Sequence, residues 1–368
     1  MNNYMPHSSA RPLEIELIRT MARRPLTAKE NKTLDKITEA KADTKEAFII
    51  KPASDWLQPG THHQDDDMLF GDFWHEGELC ILFADTNVGK SILAVQIGNS
   101  ISRGEPIPGF SMKQQAENIL YFDFELSARQ FEKRYTSDQH GAYQFNPNFY
   151  RVVFNPDATG DKKFASYADY INNALENILI TSSARIIIID NITCLRSGTD
   201  SAASAISLMR NLQAIKNKYG LSILVLAHTP KRNPAKPVSR NDLQGSKMLL
   251  NFADSAFAIG ESQTVTGRRY LKQIKQRNSG QLYGADNVCL CSIIKPTNFL
   301  QFAFNGYGCE AEHLLHYTEQ HRQSTENRIL KLRNQGLSFR QISAETHLSA
   351  STVERLLKRL GNGEGVIG

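Results

Sequence analysis

The eight residues Ala84-Asp85-Thr86-Asn87-Val88-Gly89-Lys90-Ser91 carry the most chemistry per position in this chain. They differ at one residue from the pattern G-x-x-x-x-G-K-[ST], in which a loop wraps phosphate groups. An apolar, strand-like run (Leu79–Phe83) precedes the loop and a helix-like run (Ser91–Ile97) follows it. In that setting backbone N–H groups and the helix N-terminus face an anion. Lys90 then reaches the β- and γ-phosphates of ATP, and the Ser91 hydroxyl holds Mg²⁺. The departure is Ala84 in place of the first glycine, so the turn there must be one that alanine adopts without a positive φ.

Three further groups stand at the ends of apolar runs. Ile186-Ile187-Ile188-Ile189-Asp190 is a buried strand ending in an acid, and Asp190 is expected to bind the Mg²⁺–water shell. Tyr121-Phe122-Asp123-Phe124-Glu125-Leu126-Ser127 places two carboxylates at another strand end. Glu125 is the candidate general base for the attacking water, with Asp123 as its competitor. Leu224-Val225-Leu226-Ala227-His228 aims an imidazole at the same cleft, where it can sense the γ-phosphate. The segment Thr229–Asp242 then carries Lys231, Arg232, Lys236 and Arg240 against the single acid Asp242. A long, basic, mobile loop of this kind suits a nucleic-acid phosphate backbone, or else a solvated surface.

The elements that position these groups alternate strand and helix. Strands are expected at Leu79–Ala84, Asn118–Phe124, Ile186–Asp190, Ser222–Ala227, Ser255–Ile259, Tyr270–Lys275, Val288–Ile294 and Phe299–Phe304. Unbroken apolar strands separated by helix-length segments indicate a buried, mostly parallel sheet, here with an antiparallel hairpin at the edge around Lys295–Asn298. The helix Ala203–Tyr219 puts Ile206, Met209, Leu212 and Ile215 on one face. The fold class is therefore α/β, a P-loop NTPase core with a small all-α module after it.

The ordered set resembles the RecA-like ATPases of the DnaB and RepA hexameric helicase group. Four elements match in order: the phosphate loop, the strand ending in Glu-Leu-Ser, the apolar run ending in Asp, and the strand ending in His. A fifth is Ile274-Lys275-Gln276-Arg277-Asn278. Replicative hexameric helicases carry a similar Lys-x-Arg that reaches the γ-phosphate in the neighbouring subunit. The resemblance thus implies that Lys275 and Arg277 act in trans, with Arg268 and Arg269 as rivals. Cations inserted there compensate charge spread over the transferring phosphoryl oxygens. It also implies ATP and Mg²⁺ as cofactors, a homo-oligomer (a hexamer), and single-stranded DNA as a partner of the basic loop. It covers residues 69–308. No counterpart of the primase-binding N-terminal domain of DnaB-type helicases is evident, so a shorter RepA-like architecture of a plasmid or mobile element fits better.

Outside that core, residues 1–68 read as an arm and linker. Between Arg11 and Glu46 nine Lys/Arg mix with seven Asp/Glu, and Pro52, Pro59, Gly60 and Asp65-Asp66-Asp67 follow. Residues 309–324 read as a second linker. Residues 325–362 read as three short helices with Ser338 and Ser349 as N-caps and Ile329, Leu332, Leu337, Ile342, Leu348, Val353 and Leu357 as a small core. This resembles the helix-turn-helix of resolvase-like and regulator modules. Ser351, Thr352, Arg355, Lys358 and Arg359 on the third helix are then the contacts to duplex DNA. Residues 322–360 hold eight Lys/Arg against three Asp/Glu. A helical protein–protein module is the alternative.

At 368 residues the chain accommodates about two domains. A formal net charge of +5 does not by itself imply nucleic acid. The five cysteines are odd in number, several lie in apolar runs, and Cys289-Leu290-Cys291 lacks zinc-site spacing. Reduced thiols, no apolar run near about 18 residues and no apolar leader region point to a cytoplasmic protein without a membrane partner. Three functions remain: a DNA motor, an ATP-switched DNA-binding protein that recruits partners, and an ATPase unconnected with nucleic acid.

Overall fold

The computed structural model describes residues 20, 24–33, 52–56, 68–113, 115–158, 164, 167–192, 202–230, 232–243, 247–315, 319–346 and 348–361. The chain divides into two units, Met1–Gln64 and Asp65–Gly368. In the first, residues 28–33 are helical. Thr27 and Glu30 bond reciprocally at the start of that turn, and Glu30 also pairs with Arg24 at 2.8 Å.

The second unit is built on a nine-stranded sheet. Its strands are β3 (Leu79–Ala84), β4 (Ile119–Asp123), β7 (Phe149–Val152), β8 (Ile186–Asp190), β9 (Ser222–His228), β10 (Ser255–Glu261), β11 (Arg268–Lys275), β12 (Val288–Ile294) and β13 (Gln301–Gly308). Their order is β13-β12-β11-β10-β3-β9-β8-β4-β7. Six strands from β10 to β7 run parallel and β11, β12 and β13 run antiparallel. Two short ribbons, β1 (Met68–Phe70) with β2 (Trp74–His75) and β5 (Thr136–Ser137) with β6 (Gly141–Ala142), lie outside the main sheet.

The central strands are apolar along their length because both faces are covered, which is what continuous rather than alternating hydrophobicity encodes. One face packs against α1 (Lys90–Arg103), with Leu93, Val95, Ile97 and Ile101 wholly buried. The other packs against α3 (Tyr167–Ser182), α4 (Ala202–Tyr219) and α5 (Lys247–Phe252). On α4 the expected face is confirmed for Met209, Leu212 and Ile215, while Ile206 is only half-buried. Each fully buried aliphatic side chain contributes about 1.5–3 kcal/mol. The β12–β13 hairpin lies at the sheet edge, as expected, and its end reaches α1. The Gln96 side chain accepts from the Phe302 N–H (2.7 Å) and donates to the Phe302 carbonyl (3.0 Å).

Two sequence expectations are corrected here. Residues 310–315 are not linker: Glu310–His313 form a 3₁₀ turn with Glu310 and His313 buried. Glu310 accepts from the Val238 N–H at 2.7 Å and the Tyr270 hydroxyl at 3.1 Å, and pairs with buried Lys272. A charged residue is tolerated there because every oxygen finds a donor. The first C-terminal helix also starts earlier than expected. The helices are α6 (Glu319–Asn334), α7 (Phe339–Thr346) and α8 (Ala350–Gly361). Ser338 caps α7 reciprocally with Gln341, and Ser349 accepts from the Thr352 N–H at 3.1 Å. Ile329, Ile342 and Val353 form their core, flanked by Leu332, Leu337, Leu348 and Leu357.

Candidate active site

Parallel strands deliver their C-terminal ends to one edge, where open α/β sheets bind ligands. The register aligns Ala84 with His228 and Asp123 with Asp190. Sequence positions up to 144 residues apart therefore meet in one crevice at the N-terminus of α1.

Between β3 and α1 the loop turns through two positive φ angles, 62° at Asn87 and 113° at Gly89; Ala84 is not among the positive-φ residues. This accounts for alanine at a position where the pattern has glycine: the left-handed turns fall elsewhere. A Cβ at Gly89 would lie 2.8 Å from Ile293 Cδ1 and 2.9 Å from the Phe302 ring. Lys90 opens α1, is buried, and donates from Nζ to the carbonyls of Ala84 and Asp85, both at 2.9 Å. Burial lowers its pKa, while the charges of Glu125, Asp190 and Asp85 oppose that. The Ala84 carbonyl also accepts from the Thr229 N–H at 3.0 Å, which ties the loop to the end of β9. The Asp85 side chain holds the Thr86 N–H at 2.8 Å; Thr86 and Asn87 are exposed and Val88 is buried. At the back of the loop Arg269 Nε donates to the Val88 carbonyl at 3.3 Å.

Asp190 is wholly buried and accepts from the Tyr121 hydroxyl at 2.8 Å. Burial raises its pKa to about 6, against the lowering by hydrogen bonds from Ser91 and Tyr121. Its Oδ1 has no hydrogen-bond partner among the described residues. An orphaned buried carboxylate oxygen beside a serine hydroxyl suits a hard cation, so Ser91 and Asp190 fit Mg²⁺.

The two carboxylates at the end of β4 and just past it, Asp123 and Glu125, divide their tasks. Asp123 is buried and spent: Oδ2 pairs with Arg151 Nε at 2.8 Å and Oδ1 accepts from the Leu126 N–H at 2.9 Å. Arg151 also donates to the Leu126 carbonyl at 2.7 Å and stacks on Phe131. Asp123 thus shapes the turn that presents Glu125. Ser127 and Gln130 then cap α2 (Ala128–Arg134) reciprocally.

Glu125 reaches into the crevice, where its Oε1 lies 3.0 Å from His228 Nε2. Asn191 Nδ2 donates to the same oxygen and lies 2.9 Å from His228 Nε2. The His228 bond requires the proton on Nε2, so the ring and the Asn191 amide both serve Glu125. The His228 hydrogen bond is the largest cause holding the Glu125 pKa below the usual carboxylate range, and Lys90 adds to it. Sequence reasoning missed Asn191; its signal was adjacency to Asp190 at the strand end.

Lys275 and Arg277 are not in this crevice. Strand β11 runs against β10, pairing Lys275 with Ala256, and Ala256 pairs with Ile81 near the start of β3. Both residues therefore lie toward the end of the sheet opposite the phosphate loop of the same chain. Lys275 Nζ donates to the carbonyls of Leu250 (2.5 Å) and Ala253 (2.6 Å), and burial lowers its pKa. Arg277 pairs with Asp254 at 3.1 Å and donates to the Asn251 carbonyl at 2.9 Å.

The basic segment after β9 is folded back, not free. Val238 is held by Glu310 and by Lys272 Nζ (2.8 Å), and the Pro234 carbonyl accepts from the Leu315 N–H at 3.1 Å. Arg232 is half-buried and donates to the Lys236 carbonyl, while Lys236 and Arg240 are exposed; Lys231 lies outside the described residues. On α8, Ser351, Arg355, Lys358 and Arg359 are exposed and Thr352 is half-buried. Lys358 pairs with Glu354 at 2.8 Å, and Arg359 pairs with Glu326 on α6.

Residues 52–234 match the family described as an AAA domain. The matched span takes in the phosphate loop, Glu125, Asp190 and His228. Among solved structures, the chain is similar to a KaiC-like protein from the hyperthermophilic archaeon Pyrococcus horikoshii OT3. The two are 15% identical with a TM-score of 0.42, over 62% of this chain and 91% of that one. None of the curated proteins compared with the chain matches it. No helix among the described residues is long and apolar enough to cross a membrane.

Proposed function

We propose that the chain is an ATP-hydrolysing, DNA-binding motor resembling the DnaB and RepA hexameric helicases. The observation that carries the reading is the convergence of Lys90, Ser91, Asp190, Glu125 and His228 at the ends of adjacent parallel strands. Loop amides and Lys90 bind the phosphates of ATP. Ser91 and Asp190 would hold Mg²⁺, which would supply positive charge to offset that of the phosphates. Glu125, kept ionised by His228, Asn191 and Lys90, accepts a proton from the attacking water. His228 passes the state of the γ-phosphate through Glu125 to the segment behind β9.

Lys275 and Arg277 stand too far along the sheet for their own crevice, so a role in hydrolysis assigns them to the site of a neighbouring copy in a ring. That role requires Arg277 to leave Asp254. The C-terminal helices then target duplex DNA through Ser351, Thr352, Arg355 and Lys358. Arg359 instead braces α8 on α6.

A second reading, an ATP-switched DNA-binding protein that recruits partners without unwinding, is favoured by the pinned basic segment. With Arg232 turned inward and Val238 held by Glu310, fewer cations face a translocating strand.

Strand displacement on forked DNA, with phosphate release followed in the same tube and Lys90→Ala as control, separates the two. Displacement that depends on Lys90 supports the motor. DNA-stimulated hydrolysis without displacement supports the switch. A Lys90-independent turnover contradicts both. Removal of residues 320–368 should weaken duplex binding and spare basal hydrolysis; unchanged duplex affinity would remove the C-terminal helices from the reading.

A further inference from the structure

Arg269 stands on β11 on the same face of the sheet as Leu271, the face that carries α1. Its three nitrogens are all engaged. Nε donates to the Val88 carbonyl at 3.3 Å, Nη1 to the Arg268 carbonyl at 3.2 Å, and Nη2 pairs with Glu261 at 3.0 Å. The Arg269 side chain is only 14% exposed, and Val88 is buried beside it. A guanidinium so placed loses hydration that an aliphatic side chain would not miss, so its geometry has to be worth that cost.

The geometry acts on one peptide group. The Val88–Gly89 bond is trans, the one cis bond among the described residues being Asp190–Asn191. In a trans peptide the carbonyl and the following N–H point to opposite sides. A Val88 carbonyl held toward the sheet turns the Gly89 N–H away from it. Gly89 is the residue immediately before Lys90, where loop amides meet phosphate.

We propose that Arg269, braced by Glu261, is a positioning residue that fixes the Val88–Gly89 peptide so that the Gly89 N–H faces the β-phosphate of a bound nucleotide. This rests on the ATP-site reading above. Arg269 touches no phosphate itself; it sets the loop before the nucleotide arrives. Glu261 offsets its charge, so the fork of donors matters more than the cation. Lysine cannot reproduce that fork.

The test measures ADP affinity by calorimetry, ATP turnover, and the unfolding midpoint without nucleotide. The proteins are the wild-type chain, Arg269→Gln, Arg269→Lys, Glu261→Gln and the Lys90→Ala control. Arg269→Gln is expected to raise the ADP Kd and the ATP KM about tenfold, with saturating kcat within about twofold. Arg269→Lys and Glu261→Gln should each raise both by about threefold, because the brace is weakened and not removed. A structural role alone would lower the midpoint and leave Kd and KM unchanged, and that result overturns the proposal. If Arg269→Gln does not fold, unchanged ADP affinity in both milder variants overturns it equally. ADP binding absent in the wild type, or unaffected by Lys90→Ala, would instead refute the ATP-site reading.

Discussion

Gly89→Ala is expected to be among the most damaging single-methyl additions in the core. Its φ of 113° lies where side chains with a Cβ are strained, costing about 1–3 kcal/mol. The added Cβ also meets Ile293 Cδ1 at 2.8 Å and two atoms of the Phe302 ring at 2.9 Å. The Ile293 methyl is the free end of a side chain and can rotate aside. The Phe302 ring has less freedom, because it is buried in the core against α1 and its strand is held there by Gln96. Overpacking of that kind adds about 1–3 kcal/mol. The sum, about 2–6 kcal/mol, is a large share of a typical domain's stability of about 5–15 kcal/mol. The reverse substitution in the same loop, Ala84→Gly, restores the usual pattern yet should give no gain. Ala84 needs no positive φ, so glycine there only adds chain entropy, at about 0.5–1 kcal/mol. Urea unfolding of both variants, with ADP binding on whatever remains folded, tests the pair. Gly89→Ala within about 0.5 kcal/mol of wild type, or a stabilising Ala84→Gly, would refute the reasoning.

Arg277→Ala should bind ATP normally and lose hydrolysis, and mixing with Lys90→Ala protein should restore turnover; no rescue in mixed assemblies would contradict action in trans. His228→Ala removes the largest cause depressing the Glu125 pKa. A carboxylate with a depressed pKa is ionised above that value and loses its charge as pH falls through it. The acid limb of the turnover profile should therefore move to higher pH in His228→Ala, and an unmoved limb would contradict the pairing. Burial raises the thiol pKa of Cys80, Cys289 and Cys291, the last to about 12. Native alkylation at pH 8 followed by peptide mass mapping should therefore mark half-buried Cys309 well before those three.

Much of this site was legible because it is local or repeats a simple pattern. The phosphate loop is eight consecutive residues, and three apolar runs each end in the group that matters. The parallel register then brings Asp190, Glu125 and His228 together without further information. What was not legible is non-local and polar. The role of Asp123 turns on Arg151, in an edge strand whose half-exposed residues (Phe149–Val152) carry no apolar run. Glu310 read as linker because a charged residue after the last strand looks solvated; only the fold supplies Lys272, Tyr270 and Val238 around it. The basic segment read as mobile for the same reason, since its anchors lie on other elements. Arg269 was visible as a cation on a strand, but its partner is a backbone carbonyl, which no side-chain pattern reports.

The most direct test of the site is single-turnover hydrolysis of ATP by Glu125→Gln beside wild type, with nucleotide binding measured on the same samples. Glutamine keeps the shape and cannot take a proton. The account expects ATP affinity to change by less than about threefold and hydrolysis to slow by about 10²–10⁴. Hydrolysis at the wild-type rate would show that Glu125 is not the base and that the crevice serves another purpose.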